Sequence, residues 1–216
     1  MRTVIAGGHG QIALRLERLL AARGDVAIGL IRNPEHAADL SAAGAEPVVA
    51  DLERVSVASL AAQLAGADAV VFAAGAGPGS GDARKDTVDR GACELLADAA
   101  QAAGVRRFVQ VSSMGANLED MTGIDPGFAS YLRAKGAAEA DLRERDLDWT
   151  ILRPGGLINE PGTGLIKLAP STGRGSIPRD DVAAVLLALL DAPTTVGRTL
   201  ELISGNQAVG AAVAGL

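Results

Sequence analysis

Short apolar runs alternate with helically patterned segments along the whole chain. The runs predict strands at Thr3–Ala6, Val26–Ile31, Glu46–Ala50, Ala69–Ala73, Arg107–Val111, Trp149–Arg153 and Thr199–Ile203. Most are continuously apolar, the pattern of strands covered on both faces of a parallel sheet. Between them, Gln11–Arg23 carries Ile12, Leu16, Leu19 and Leu20 on one helical face. Pro34–Ala43 opens with Asn33-Pro34, a capping residue followed by a proline suited to the first helical position. Val57–Leu64 follows the capping residue Ser56, and Thr87–Ala103, Phe128–Asp146 and Asp181–Leu190 complete the helices. Gly24, Gly44, Gly66 and Gly104 stand where these helices should stop, as left-handed caps require.

This alternation predicts an α/β fold: a Rossmann-type, doubly wound parallel sheet of about seven strands with helices on both faces. The 216 residues show no internal repeat and no long linker, so residues 1–216 read as a single domain. The glycine-rich segments Gly75–Gly81 and Gly155–Gly175 follow strands, and open sheets bind ligands at the carboxyl ends of strands. Loops 112–127 and 154–178 would form a small substrate region. Met114, Asn117, Met121, Ile124, Phe128, Leu157, Asn159 and Glu160 would be its walls. Asp180 reads as a helix cap, and Phe108 and Trp149 as core.

Composition narrows the function classes. Only 2% of residues are aromatic, so the core must be built from Ala, Val, Ile and Leu. A net charge of −6 argues against nucleic acid and offers an anionic membrane no attraction. The single cysteine, Cys93, falls in an apolar-periodic stretch and is expected to be a buried structural thiol. The first strand begins right after Met1, which leaves no room for a signal peptide. The apolar run Val182–Leu190 is too short for a bilayer, which needs about 20 residues. A cytoplasmic monomer or small homo-oligomer acting on a small molecule is expected.

The candidate chemistry starts at the first turn. Residues 3–13 read TVIAGGHGQIA. Gly7 lets the chain turn sharply after the first strand. Gly10 removes a side chain where backbone must approach a pyrophosphate, and Ala13 keeps the helix close to the strand. The helix N-terminus then offers free N–H groups to the anion. The spacing is GxxGxxA with Gly8 added, and a purely structural tight turn is the competing reading. His9 either faces the phosphates or is solvated. After the second strand stands Ile31-Arg32-Asn33, with a guanidinium where NAD binders place an acid, so NADP(H) is expected over NAD(H). Asp51 could accept from an adenine amino group or cap a helix, with Leu52 against the ring. Ala73, Ala74 and Gly75 are small enough for a cofactor to pass close to the backbone.

The one tyrosine, Tyr131, is followed four residues later by Lys135, one of three lysines, so the two share a helix face. A free tyrosine titrates near 10, too high for acid–base work at neutral pH. An ammonium ~4 Å away at an effective dielectric near 20 supplies roughly 4 kcal/mol, or roughly 3 pH units. Lys135 could thus poise Tyr131 and also hold a ribose hydroxyl. Ser113 ends the fifth strand and could hydrogen-bond a reacting oxygen. A surface tyrosine beside a surface lysine remains the alternative.

Taken in order, GGHGQIA, IRNP, ADL, FAAGAG, VSS, YLRAK, LRPGGL and IPRDDVA resemble the short-chain dehydrogenase/reductase superfamily. The resemblance is closest to its atypical branch, the NAD(P)H-binding, NmrA-like and epimerase-like proteins, and covers nearly the whole chain. It implies Ser113, Tyr131 and Lys135 as catalytic residues. It places the cofactor against Gly7, His9, Gly10, Gln11, Ile12, Arg32, Asp51, Leu52, Ala73–Gly75, Ser112 and Lys135, with Pro154 and Gly155 beside the nicotinamide. No metal is implied. The chain is much shorter than sugar-nucleotide epimerases. The resulting expectation is an NADP(H)-dependent oxidoreductase of a small carbonyl or hydroxyl compound. The alternatives are a non-catalytic redox sensor, a flavin or quinone reductase, and an epimerase-like isomerase.

Overall fold

In a computed structural model of the chain, which describes residues 1–77 and 79–216, the alternation becomes a layered α/β fold. Among the described residues the elements run β1 Arg2–Ala6, α1 Gln11–Arg23, β2 Val26–Ile31, α2 Ala37–Ala42, β3 Glu46–Val49, α3 Val57–Leu64, β4 Ala69–Phe72, α4 Asp82–Arg84, a π-helical segment Lys85–Gly91, α5 Ala92–Ala103, β5 Arg107–Val111, α6 Pro126–Arg143, β6 Asp148–Pro154, β7 Gly156–Ile158, β8 Leu165–Ala169, β9 Ser176–Pro178, α7 Arg179–Leu190, β10 Arg198–Ser204, β11 Gln207–Ala208 and α8 Val209–Ala214. Pro78, within the glycine-rich segment after β4, lies outside the described residues.

The main sheet has the order β11-β8-β10-β6-β5-β4-β1-β2-β3. The strands from β10 to β3 are parallel and coincide with the seven predicted runs. Strand order reverses beside β1, with β2 on one side and β4 on the other, which opens a crevice at their carboxyl ends.

Two expectations are corrected. Residues 154–178, read as loop, contain β7, β8 and β9. β8 runs antiparallel to β10, β11 pairs antiparallel with β8, and β7 and β9 form a separate parallel ribbon. These strands are short and broken by glycines, and β8 alternates between exposed and buried positions, so no continuous apolar run marks them. The helix expected from Thr87 begins earlier, and its first part is the π-helical segment.

The core is split by the sheet. Ile5, Leu16, Leu20, Val71, Leu186 and Leu202 pack on the face carrying α1 and α7. Val4, Leu60, Phe72, Leu96, Phe108 and Ile151 pack under α3, α5 and α6. Cys93 lies buried in the second layer, and burial pushes its thiol up to about 12. Gly24 and Gly104 end α1 and α5 in the left-handed conformation, at φ of 84° and 73°.

Candidate functional site

The turn after β1 sits between β2 and the segment that follows β4. Gly7 has φ of +80°, and a Cβ there would lie 2.6 Å from the Ala74 Cα. A Cβ on Gly8 would lie 2.8 Å from the Gly29 Cα of β2, and its N–H donates to the Leu30 carbonyl at 3.0 Å. Gly8, extra to the expected spacing, thus lets the turn lie flat on the neighbouring strand. Gly10 donates to the Gly7 carbonyl at 2.8 Å and begins α1 without a side-chain cap. No acidic residue stands in the first turn of α1, so its leading N–H groups and positive dipole end are free for an anion.

These elements enclose a cavity of about 340 Å³ at the sheet's crevice. Of the expected cofactor contacts, Gly7, His9, Gly10, Arg32, Asp51, Leu52, Ala73, Ala74 and Gly75 line it. Gln11 and Ile12 open α1 just beside it, Gln11 exposed and Ile12 half-buried. His36, Glu53, Ala76 and Arg84 also line the cavity and were not expected from the sequence. Their signals were too dispersed: Arg84 comes from an element three residues long, far along the chain from Glu53.

Glu53 is the polar centre of this rim. It accepts from Arg32 at 3.3 Å, Arg84 at 2.9 Å and the Thr87 hydroxyl at 2.7 Å. The bonds from Arg84 and Thr87 hold its carboxyl below the usual glutamate range. The His9 ring stacks on His36, with centroids 3.6 Å apart and planes 13° from parallel, and its Nε2 lies 2.7 Å from Asp39. Asp51 caps no helix. Its side chain accepts from the Glu53 N–H at 3.0 Å and shapes the turn below the cavity, while Ser56 caps α3 through the Ser59 N–H at 3.2 Å.

The catalytic candidates lie outside the cavity lining, Ser113 and Tyr131 half-buried and Lys135 buried. The Ser113 hydroxyl donates to the Met114 carbonyl at 3.2 Å. Tyr131 is half-buried on α6 with its ring beside Phe128, centroids 5.7 Å apart. The Lys135 Nζ stands 5.7 Å from the Tyr131 ring centroid and 5.2 Å from that of Phe72. Lys135 is only 3% exposed; its ammonium donates to the carbonyls of Ala74 at 3.3 Å and Val111 at 3.2 Å. It also lies 3.3 Å from Oδ1 of Asp89, itself 1% exposed. Besides Tyr131, then, a buried carboxylate that the sequence reading did not single out stands beside the Lys135 charge.

Ser112 is placed differently from expectation. Its hydroxyl is buried and donates to Glu139 at 2.6 Å, within a cluster that includes Arg143 and Arg153, so its side chain serves the core rather than the cavity. Pro154 and Gly155 tie loops together. The Pro154 carbonyl accepts from the Met114 N–H at 3.0 Å, and the Gly155 N–H donates to Leu202 at 2.9 Å. Asp180 is no cap either; it accepts from Arg15 at 2.5 Å and from the Gly162 N–H at 3.0 Å. Among the described residues no group of three or more His, Cys, Asp or Glu could hold a metal ion, and no helix is long and apolar enough to cross a membrane.

With this geometry in hand, a family profile described as NAD(P)H-binding matches residues 7–193. An uncharacterized sugar epimerase of Bacillus subtilis, YhfK, is 38% identical over 214 residues, covering 99% of each chain. The structure of a Bacillus halodurans protein, named as an NAD-dependent epimerase/dehydratase, superposes with a TM-score of 0.92 at 35% identity over 100% of both chains. ChuY, an anaerobilin reductase of Escherichia coli O157:H7, superposes with a TM-score of 0.80 at 25% identity, covering 94% of this chain and 97% of its own.

Proposed function

The chain belongs to the NAD(P)H-binding family, and from that premise we propose that it is an NADP(H)-dependent oxidoreductase of the atypical short-chain type, acting on a small carbonyl or hydroxyl compound. The observation that carries this reading is the cavity of about 340 Å³, in which the glycine turn, Arg32 and the Ala73–Gly75 backbone share one rim. These residues fit a dinucleotide. The turn exposes backbone where side chains would collide, and the uncapped start of α1 offers N–H groups at Gln11 and Ile12 to a diphosphate. Arg32 suits a 2′-phosphate, since a guanidinium forks onto it.

The nicotinamide, when bound, supplies or accepts a hydride. This chain's residues handle the proton. In reduction Tyr131 gives its hydroxyl proton to the substrate oxygen, and in oxidation it takes that proton back. Ser113 donates to the same oxygen and orients it. Lys135, anchored on the Ala74 carbonyl, fixes Tyr131 relative to the cofactor floor.

Titration with NADPH and NADH tests the cofactor reading. NADPH is expected to bind tighter, and tighter NADH binding would remove the role given to Arg32. Tyr131→Phe is expected to lower carbonyl reduction by about 10²- to 10⁴-fold, as loss of a general acid does. Unchanged turnover would end the acid–base role.

One observation favours a second reading. Asp89 lies 3.3 Å from the Lys135 Nζ and competes with Tyr131 for that ammonium. Phe128, 49% exposed and stacked on Tyr131, offers a flat apolar shelf. A planar acceptor that takes a hydride without a protein acid, such as a flavin or quinone, suits that arrangement, and ChuY, to which the chain is similar, is named as a reductase. Turnover of such acceptors that survives Tyr131→Phe would favour this reading.

A further inference from the structure

Asp89 was not singled out by the sequence, yet it is a buried acid 3.3 Å from the Lys135 ammonium. It stands on the π-helical segment, whose wider turns carry side chains to places an α-helix would not, and such segments recur at functional sites. Its Oδ2 accepts from the Ala76 N–H at 3.1 Å, while Oδ1 lies 3.3 Å from the Lys135 Nζ. Lys135 returns to the same stretch of backbone through the Ala74 carbonyl at 3.3 Å. Ala74 is also the backbone that leaves no room for a side chain on Gly7. Contact therefore runs unbroken from Lys135 through Asp89 and the Ala74–Ala76 backbone to the glycine turn.

We infer that Asp89 is a positioning residue: its carboxylate locks Lys135 and the Ala74–Ala76 backbone into one unit, so that the cofactor floor and the reacting end of the site are set together. This rests on the dinucleotide-dependent reading above. The two oxygens of one carboxylate thus reach different elements, one the ammonium on α6 and the other the backbone that follows β4. Burying both charges costs solvation that their mutual attraction and the hydrogen bonds must offset. Removing Asp89 alone leaves an ammonium uncompensated, and such a group gives up its proton more readily. The other titratable groups packed around Lys135 are Tyr131 on its own helix and Cys93 on α5. Cys93 is pushed up to about 12 and stays protonated, and Glu139, one turn further along α6, is engaged with Ser112 and Arg153.

The test compares the wild-type chain with Asp89→Asn, Asp89→Glu and the double variant Asp89→Asn/Lys135→Met. NADPH affinity is measured by fluorescence titration, and the pH dependence of reductase turnover is measured with it. Asp89→Asn is expected to weaken NADPH binding at least tenfold and to move the alkaline limb of the rate profile to lower pH by about one unit. Asp89→Glu keeps the charge and should hold that limb near its wild-type position. The double variant removes both buried charges; it should unfold at a higher temperature than Asp89→Asn while NADPH binding stays at least tenfold weak. If Asp89→Asn alone does not fold, the double variant is compared with Lys135→Met, and equal NADPH affinity in those two overturns the inference. Binding within twofold of wild type in Asp89→Asn with an unmoved pH profile, or wild-type affinity in the double variant, overturns the inference and leaves the pair merely structural. Failure of the wild-type chain to bind any nicotinamide dinucleotide overturns the functional reading and this inference together.

Discussion

At the scale of single residues, two glutamates are the most exacting test of the structure. Glu17 is fully buried on α1, and neither of its oxygens has a hydrogen-bond partner among the described residues. Burial pushes its carboxyl up to about 8. The folded chain then keeps a proton that the unfolded chain gives up above about 4.5. Stability should fall by about 1.4 kcal/mol per pH unit between 4.5 and about 8, and level off above that range. Glu17→Gln should flatten this slope in denaturant midpoints measured from pH 5 to pH 8; an equal slope in both proteins refutes it. Glu53 acts on affinity instead. Its carboxylate occupies both Arg32 and Arg84, so Glu53→Gln should tighten NADPH binding about two- to fivefold and change NADH binding less. An equal change for both dinucleotides would mean that the guanidiniums do not face the 2′ position. Arg32 was legible in the sequence because it immediately follows a strand. Glu53 and Arg84 were not, because only the folded chain brings positions 31 residues apart together.

At the scale of elements, legibility followed the continuity of the apolar pattern. The seven parallel strands and the stops at Gly24 and Gly104 were readable because each carries a local physical signature. The π-helical segment was not, since one extra residue per turn leaves the apolar spacing of Thr87–Ala103 looking like an ordinary helix; Asp89 was hidden for that reason. The ribbon β7–β9 was hidden because its strands are three residues long and its contacts are backbone against backbone. A Cβ on Gly155 would lie 2.3 Å from the Gly175 carbonyl, where the chain enters that ribbon. Gly155→Ala should therefore cost about 1–3 kcal/mol of overpacking, read as a lower unfolding midpoint, whereas an unchanged midpoint would show that the ribbon gives way freely. Loss of the α3 cap in Ser56→Ala should cost about 1 kcal/mol by the same measurement.

At the scale of the whole molecule, the cavity is built from parts that are distant in sequence, so occupying it should stabilise the fold as one body. NADPH at about 100 times its dissociation constant should add about 2.7 kcal/mol, which raises the midpoint of a domain this size by about 5–10 °C. No shift at that excess would mean that NADPH does not prefer the folded chain to the unfolded one. The placement of β1 between β2 and β4 has a temporal consequence as well. A ribosome releases Arg2–Ala6 before any other strand of this sheet, and β2 can flank it on one side almost at once. Its other side stays bare until Ala69–Phe72 emerges, several seconds later at typical elongation rates. During that interval the nascent chain carries an unsatisfied apolar strand edge at what will become an interior position of the sheet. Slower translation between these two strands would lengthen that exposure and, with it, the demand for a holding chaperone.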